Sequence, residues 1–331
     1  MDETSVVTVQ LSEPTHVADA QRRAMEMGRI LGFDEAANKR LALVVNEAAT
    51  YLMERAGGGE ILVGPAGGGL FRGVQVLAVD RSGLIKGVAA SRFNGGDSVG
   101  NHDTGLNAIA RAATTFDIYV QPARGTVVAA TVYGHDEPAS PAAGVSVASR
   151  RETYCGDGWA IWSAGDLTSI FLSDALGRGR EAAEATSLAV EAFRQHAHSS
   201  PADVIHDVYQ PLRNTRGASV AMARLDRREG RVHFCGLGNI AAVILRRGGP
   251  DQHLISHNGI AGHTMRRLME YTYHWPPASL IVLHSVGIGS HWSLGKYAGL
   301  SERRPDVIAG VLYRDFRREG DDATVVVARS L

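Results

Sequence analysis

The stretch Phe171-Leu172-Ser173-Asp174-Ala175-Leu176-Gly177-Arg178-Gly179 has the makings of a reactive site. An apolar run ends in an aspartate, and two glycines precede a helical pattern. A strand that stops at a carboxylate and turns through glycines offers an oxygen ligand beside free backbone carbonyls, which suits a hard cation such as Mg2+ or Mn2+. The same pattern also reads as a strand-to-helix turn with Asp174 as the helix N-cap. Two further acidic stretches bear on the choice: Cys155-Gly156-Asp157-Gly158-Trp159 upstream and Gly320-Asp321-Asp322-Ala323-Thr324 near the C-terminus.

The elements that would position these residues need a large core, and 331 residues at 44% hydrophobic supply one, enough for two domains. Net charge is near zero, and no basic tract points to nucleic acid or a membrane surface. The N-terminus, Met1-Asp2-Glu3-Thr4, is acidic and unlike a signal peptide, and no apolar run approaches the ~20 residues of a membrane helix. Cys155 and Cys235 are too few for a disulfide framework, so the expected compartment is reducing cytoplasm.

In the first half, Val6–Val9 reads as a strand and Thr15 as the cap of a helix to Leu31. Asp34 caps a second helix to Ala56, with Leu41, Val44, Val45, Ala48, Ala49 and Leu52 as its buried stripe, and Gly57-Gly58-Gly59 ends it. Glu60–Val63 and Val74–Val79 read as strands, Thr104–Ala113 as a helix, and Phe116–Val120 with Gly125–Tyr133 as a hairpin. The class is an α/β two-layer sandwich with a mixed sheet.

Three stretches in this half resemble the boxes of the GHKL ATPase fold, in the branch of anti-sigma-factor serine kinases of the RsbW and RsbT type. Leu43–Leu52 is similar to the N-box helix. Glu47 matches the family's general base, but Tyr51 stands where an Asn would hold Mg2+. Val79–Leu84 is similar to the adenine box Asp-x-Gly-x-Gly; Asp80 is kept, and Ser82 and Leu84 replace its glycines. Asp103–Ile109 is similar to the phosphate loop, with Thr104, Gly105 and Leu106 kept but Asp103 and Asn107 in place of the outer glycines. A carboxylate at a helix N-terminus repels the phosphate that would bind there. The resemblance implies a worn nucleotide site at Glu47, Asp80, Gly83, Thr104 and Gly105, in which kinase activity is lost and ATP is a doubtful ligand. The surface that survives suits protein docking.

Residues 135–144 are polar, proline-bearing and without periodicity, and read as a linker between a domain over 1–134 and another over 145–331. The second half reads as many strands with helices over Arg180–His196, Pro201–Leu212 and Val307–Phe316, a β-sandwich flanked by helices. It resembles the PPM-type protein phosphatases, in the SpoIIE and RsbX branch. Residues 155–159 are similar to that family's first acidic motif, 173–179 to its Asp-Gly-x-Gly-x-Gly, 284–287 to its Ser-Asp-Gly and 320–324 to its terminal Asp-Asp, in the family's order. The resemblance implies two-metal phosphoester hydrolysis, with Asp157 and Asp174 as catalytic carboxylates. The metal ligands would be Asp157, Asp174, the Ala175 carbonyl and Asp322, with Asp321 as the substitute for Asp322. Two departures weaken it: Ala175 replaces a glycine, and Val286 replaces a ligating Asp, which leaves room for a single weak Mn or Mg ion.

His257, His263, His274, His284 and His291 lack the spacing of a helical zinc site, and Ser285 lacks the frame of a hydrolase elbow. Joined together, the two resemblances imply a partner-switching regulator that binds a phosphorylatable STAS-domain antagonist, with phosphatase activity impaired or lost. The competing expectation is an active Mn- or Mg-dependent phosphoserine/phosphothreonine protein phosphatase with a reduced metal site.

Overall fold

The computed structural model describes residues 6–69, 73–84, 104–134, 140–265 and 268–330. Asp103 and residues 135–139 of the expected linker lie outside them. Chain contacts divide the protein into two compact units, Met1–Ser140 with Ser293–Asp315, and Pro141–Trp292 with Phe316–Leu331.

The first unit starts with β1 (Val7–Leu11) and the helices α1 (Pro14–Ile30) and α2 (Glu35–Ala56). Pro14 rather than Thr15 opens α1, since a proline at the first position loses no bond the helix would have made. Asp34 caps α2 as expected, its carboxylate accepting from the Ala37 N–H, and Gly57 closes the helix in the left-handed region. There follow β2 (Gly59–Pro65), β3 (Gly73–Asp80), α3 (Thr104–Ala112), β4 (Thr115–Gln121) and β5 (Gly125–Tyr133). The sheet order is β1-β2-β3-β5-β4, and every pairing is antiparallel. The expected mixed sheet is thus corrected: β1 pairs β2 across the two-helix connection, β3 pairs β5 rather than β4, and no pair is parallel.

The helices cover one face of this sheet, where Leu41, Val44, Val45 and Ala48 join Val76, Ala78, Val128 and Ala130 in one core. The alternating residues Leu62, Leu77, Val79, Val127 and Ala129 point the other way and are buried too. What covers them comes from far along the chain, in helix α6 (Pro305–Phe316). A side-chain carbon added to Gly310 would lie 2.7 Å from Val127 and 3.8 Å from Leu77, so the helix backbone rests directly on the strands. The two-layer expectation becomes three layers: helices, sheet, and the strap 293–315. Polar contacts pin the strap. Arg303 Nη1 donates to Asp117 Oδ1 (3.2 Å), Arg304 N–H to Asp117 Oδ2 (2.9 Å), and Tyr313 OH to Glu60 Oε2 (3.0 Å).

The second unit holds β6 (Ala142–Val147), β7 (Asp157–Ala164), β8 (Leu167–Ala175), α4 (Arg180–His196), α5 (Pro201–Leu212), β9 (Ala218–Asp226), β10 (Arg231–Leu237), β11 (Ala241–Leu245), β12 (Gln252–His253), β13 (Tyr271–His274), β14 (Leu280–His284) and β15 (Ala323–Arg329). Two five-stranded antiparallel sheets result, β13-β10-β9-β8-β7 and β12-β11-β14-β15-β6. They face each other where the Trp159 indole lies over Gly144, close enough that a Cβ there would be 2.8 Å from the ring. Helices α4 and α5 pack on the first sheet through Ala182, Ala189, Phe193, Val204 and Val208. The last expected linker residues, Ala142 to Gly144, are strand, paired with β15. Among the described residues no helix is long and apolar enough to cross a membrane.

Candidate functional site

The antiparallel register of β7 and β8 sets Asp157 opposite Asp174. Strand β8 runs on through Ala175, and α4 begins only at Arg180 with Gly179 as its N-cap. Asp174 therefore caps no helix, and its carboxylate is left for other work. Ala175 is absent from the positive-φ residues, so the methyl that replaces a glycine there brings no backbone strain.

The other sheet supplies what holds the pair. Ser285, just past β14, donates from its hydroxyl to Asp157 Oδ2 at 2.6 Å. Its Oγ accepts from the Thr324 N–H (3.0 Å), and its own N–H donates to the Thr324 carbonyl (3.0 Å). The Val286 N–H donates to Asp174. Asp322 precedes β15 and accepts from Ser149 N–H at Oδ1 and Gly156 N–H at Oδ2, both at 2.7 Å. Gly156 permits this approach, since a Cβ there would meet Asp322 Oδ2 and the Ala182 methyl at 2.9 Å. Thr186 of α4 donates to the Gly156 carbonyl at 2.5 Å. Sequence reasoning weighed Ser285 only as a nucleophile and missed its positioning role, and it missed Thr186 altogether.

Burial, followed by the Asp322 charge, pushes the Asp174 carboxyl up to about 6, against the stabilising Val286 N–H. Burial, followed by the Asp174 charge, holds Asp157 well above the usual carboxylate range, against the Ser285 hydroxyl. Two facing carboxylates in a dry site share a proton or take a cation. The donors are all oxygen, as Mg2+ and Mn2+ require. Among the described residues, no three His, Cys, Asp or Glu side chains gather tightly enough to hold an ion together. Asp322 spends an oxygen on each of two amides, and Val286 presents a half-exposed apolar side chain. The facing carboxylates of Asp157 and Asp174 are of the donor type that could hold a hard cation, with the Ala175 carbonyl and Asp322 as the further oxygens expected from sequence.

In the first unit, α2, α3 and β3 share one core. Glu47 is half-buried, with Asn46 Nδ2 donating to its Oε1 at 3.4 Å, and Tyr51 is buried one turn further along α2. Asp80 is 1% exposed; its Oδ1 accepts from the Ser82 N–H (2.6 Å), while Oδ2 is buried with no partner among the described residues. Without those two glycines the chain still turns, with Ser82 Oγ accepting from the Leu84 N–H (3.1 Å) and Gly83 at φ +66°. Thr104 opens α3 and Gly105 follows it, half-buried. The histidines do not gather: His284 Nδ1 bonds the Ser285 carbonyl (2.9 Å), and His257 stacks on Tyr271. Burial and the Asp157 charge push the Cys155 thiol well up, which leaves it inert.

A family model for stage II sporulation protein E (SpoIIE) matches residues 164–330. The phosphoserine phosphatase RsbX of Bacillus subtilis (strain 168) is 18% identical over 137 residues, 41% of this chain and 69% of that protein. A chain solved in work on the bacterial stressosome, a modular system adapted to control secondary messenger signalling, superposes with a TM-score of 0.53 at 26% identity, over 57% of this chain and 98% of its own. RsbX crystallised with magnesium superposes with a TM-score of 0.50 at 15% identity, over 56% of this chain and 92% of its own, a likeness of fold. With half of its 331 residues under the family model and two facing sheets that bring Asp157, Asp174 and Asp322 to one end, the chain belongs to the SpoIIE family.

Proposed function

We propose that this protein is a Mn- or Mg-dependent phosphatase for phosphoserine or phosphothreonine on a protein of a partner-switching circuit, working with one ion in place of two. The observation that supports it is the Asp157–Asp174 pair: two buried carboxylates set face to face, each pushed above its ordinary range partly by neighbouring charge. Such an arrangement costs stability, and a cation between the two would relieve it. Bound there, the ion would supply charge to a phosphoryl oxygen and lower the pKa of a water. The chain's own residues do the positioning. Ser285 fixes the Asp157 rotamer, the Val286 N–H orients Asp174, and Asp322 ties the 149–156 loop to the start of β15.

A second reading is a regulator that binds a phosphorylatable STAS-type antagonist without turning it over. Val286 favours it, since a side chain without oxygen replaces a ligand the resemblance calls for. In either reading the first unit is a GHKL-type domain whose nucleotide site serves docking. Three ordered boxes and the turn at Asp80 to Leu84 support that assignment, with ATP a doubtful ligand and kinase chemistry lost at Tyr51.

The test uses the purified chain with Mn2+ and a phosphorylated STAS-domain protein or an aryl phosphate. Turnover that disappears in Asp174→Ala supports the phosphatase. No turnover in the native chain, with activity gained in Val286→Asp, moves the assignment to the regulator. Micromolar binding of ATP with Mg2+ would contradict the docking account of the first unit.

A further inference from the structure

A site that works with one ion in place of two balances less of the charge of its carboxylates and of the phosphate dianion that the proposed function brings to it, so cations of the chain's own beside it would complete the balance. Two guanidinium groups lie on and beside the turn that leaves Asp174. Arg178 sits between Gly177 (φ +93°) and Gly179 (φ +71°) in the turn that leaves Asp174. Its Nη2 is 3.3 Å from Oδ1 of Asp321, the neighbour of Asp322. The Leu176 N–H donates to the Gly217 carbonyl (2.9 Å), which brings Arg216 alongside the same turn. Arg216 lies in the space that the missing side chain of Gly177 leaves open: a Cβ there would be 2.6 Å from Arg216 Nη1. Arg216 Nε donates to Glu181 Oε2 at 2.6 Å.

Both arginines are about half exposed, at 53% and 51% of their side chains, and Glu181 is 69% exposed. Open ion pairs of this kind contribute little to stability, so they do not account for two forked cations and a tailored gap beside the acidic site. Guanidinium forks match phosphate oxygens two at a time. The carboxylates of Asp321 and Glu181 show that each fork already accepts an anion from solvent-facing positions.

We propose that Arg178 and Arg216 form a receptor for a phosphate monoester dianion, presented by a phosphorylated serine or threonine, at the mouth of the Asp157–Asp174 site. The inference deepens the phosphoprotein assignment and rests on it for the identity of the ligand; its own test is separable.

The native chain is titrated calorimetrically with a short phosphoserine peptide and with inorganic phosphate, each with and without Mn2+, while peptide hydrolysis is followed in parallel. Arg178→Ala with Arg216→Ala should weaken the peptide about a hundredfold, and either Lys replacement about tenfold, because an ammonium keeps the charge and loses the fork. Glu181→Gln, which frees Arg216, should tighten binding several-fold, a gain that a purely structural role for the arginine would not give. If the double variant does not fold, the single variants and Glu181→Gln carry the test. Tighter binding of the peptide than of phosphate supports a phosphoprotein source, and equal affinity assigns the receptor to the free ion. Unchanged affinity in the double variant, or no binding of either probe to the native chain, overturns the receptor. A native chain that binds the peptide and never hydrolyses it keeps the receptor and removes the phosphatase assignment.

Discussion

At the scale of single residues, Asp174 carries a cost that can be measured. Its native value of about 6 lies above the ordinary 3.8, so the folded state holds a proton that the unfolded chain releases. The stability linked to that proton is complete below pH 3.8 and is lost as pH rises through about 6. Without a divalent ion, the native chain should gain about 1.4 kcal/mol relative to Asp174→Asn between pH 7.5 and 5, read from thermal melts of both proteins. Saturating Mn2+ should flatten that difference. A difference that stays flat without metal would mean the carboxylates do not strain one another. Val286→Asp adds an oxygen ligand at a half-exposed position, and its Mn2+ affinity by calorimetry should rise about a hundredfold, since ligand charge sets the affinity of such sites. That Asp174 lies at the end of a strand was legible in the sequence. Its freedom from a capping role was not, because local pattern alone cannot say that β8 continues through Ala175 before the chain turns.

At the scale of elements, the site depends on the two facing sheets being tied together at one end. Ser285 is the stitch, fully buried, joining Asp157 to the backbone of β15. Ser285→Ala leaves the Thr324 N–H and Asp157 each short of a partner and should cost about 1–3 kcal/mol in urea unfolding. Loss of turnover in that variant should exceed what its stability explains. The elements themselves were largely readable. The Asp34 cap, the Gly57 stop and the helix Arg180–His196 stand where their residues put them, because capping and periodicity are local physics. The register of β7 against β8 was not readable, because pairing is a property of two segments at once. The sheet of the first unit carried a signal that a two-layer reading passes over. Strands β3 and β5 are buried along their entire length, and their near-continuous apolar runs state that both faces are covered.

At the scale of the whole molecule, the second cover proves to be the strap 293–315, which leaves the second unit after Trp292 and returns at Phe316. Its buried link is Arg303 to Asp117, both side chains nearly inaccessible at 10% and 9%. Arg303→Ala leaves a buried carboxylate without its cation and should cost about 3 kcal/mol, seen as an early transition in denaturant when a probe reports on the first unit alone. A chain cut after residue 144 exposes Leu77, Val127 and Ala129, so it should bind a hydrophobic dye and aggregate. A synthetic 293–315 segment added in trans should reduce both effects. Two units could be anticipated from the change in character near residues 135–144, whereas a strap drawn from the far end of the chain leaves no local mark in either sequence.

The strap also sets an order of events on the ribosome. The first 140 residues leave first, yet their sheet remains open on one side until residues 305–315 have been made. At about 5–20 residues per second, that is a wait of roughly 10–35 s with an apolar sheet face uncovered. The first unit is begun before the second, yet it is completed only after residues 141–292 of the second have been made.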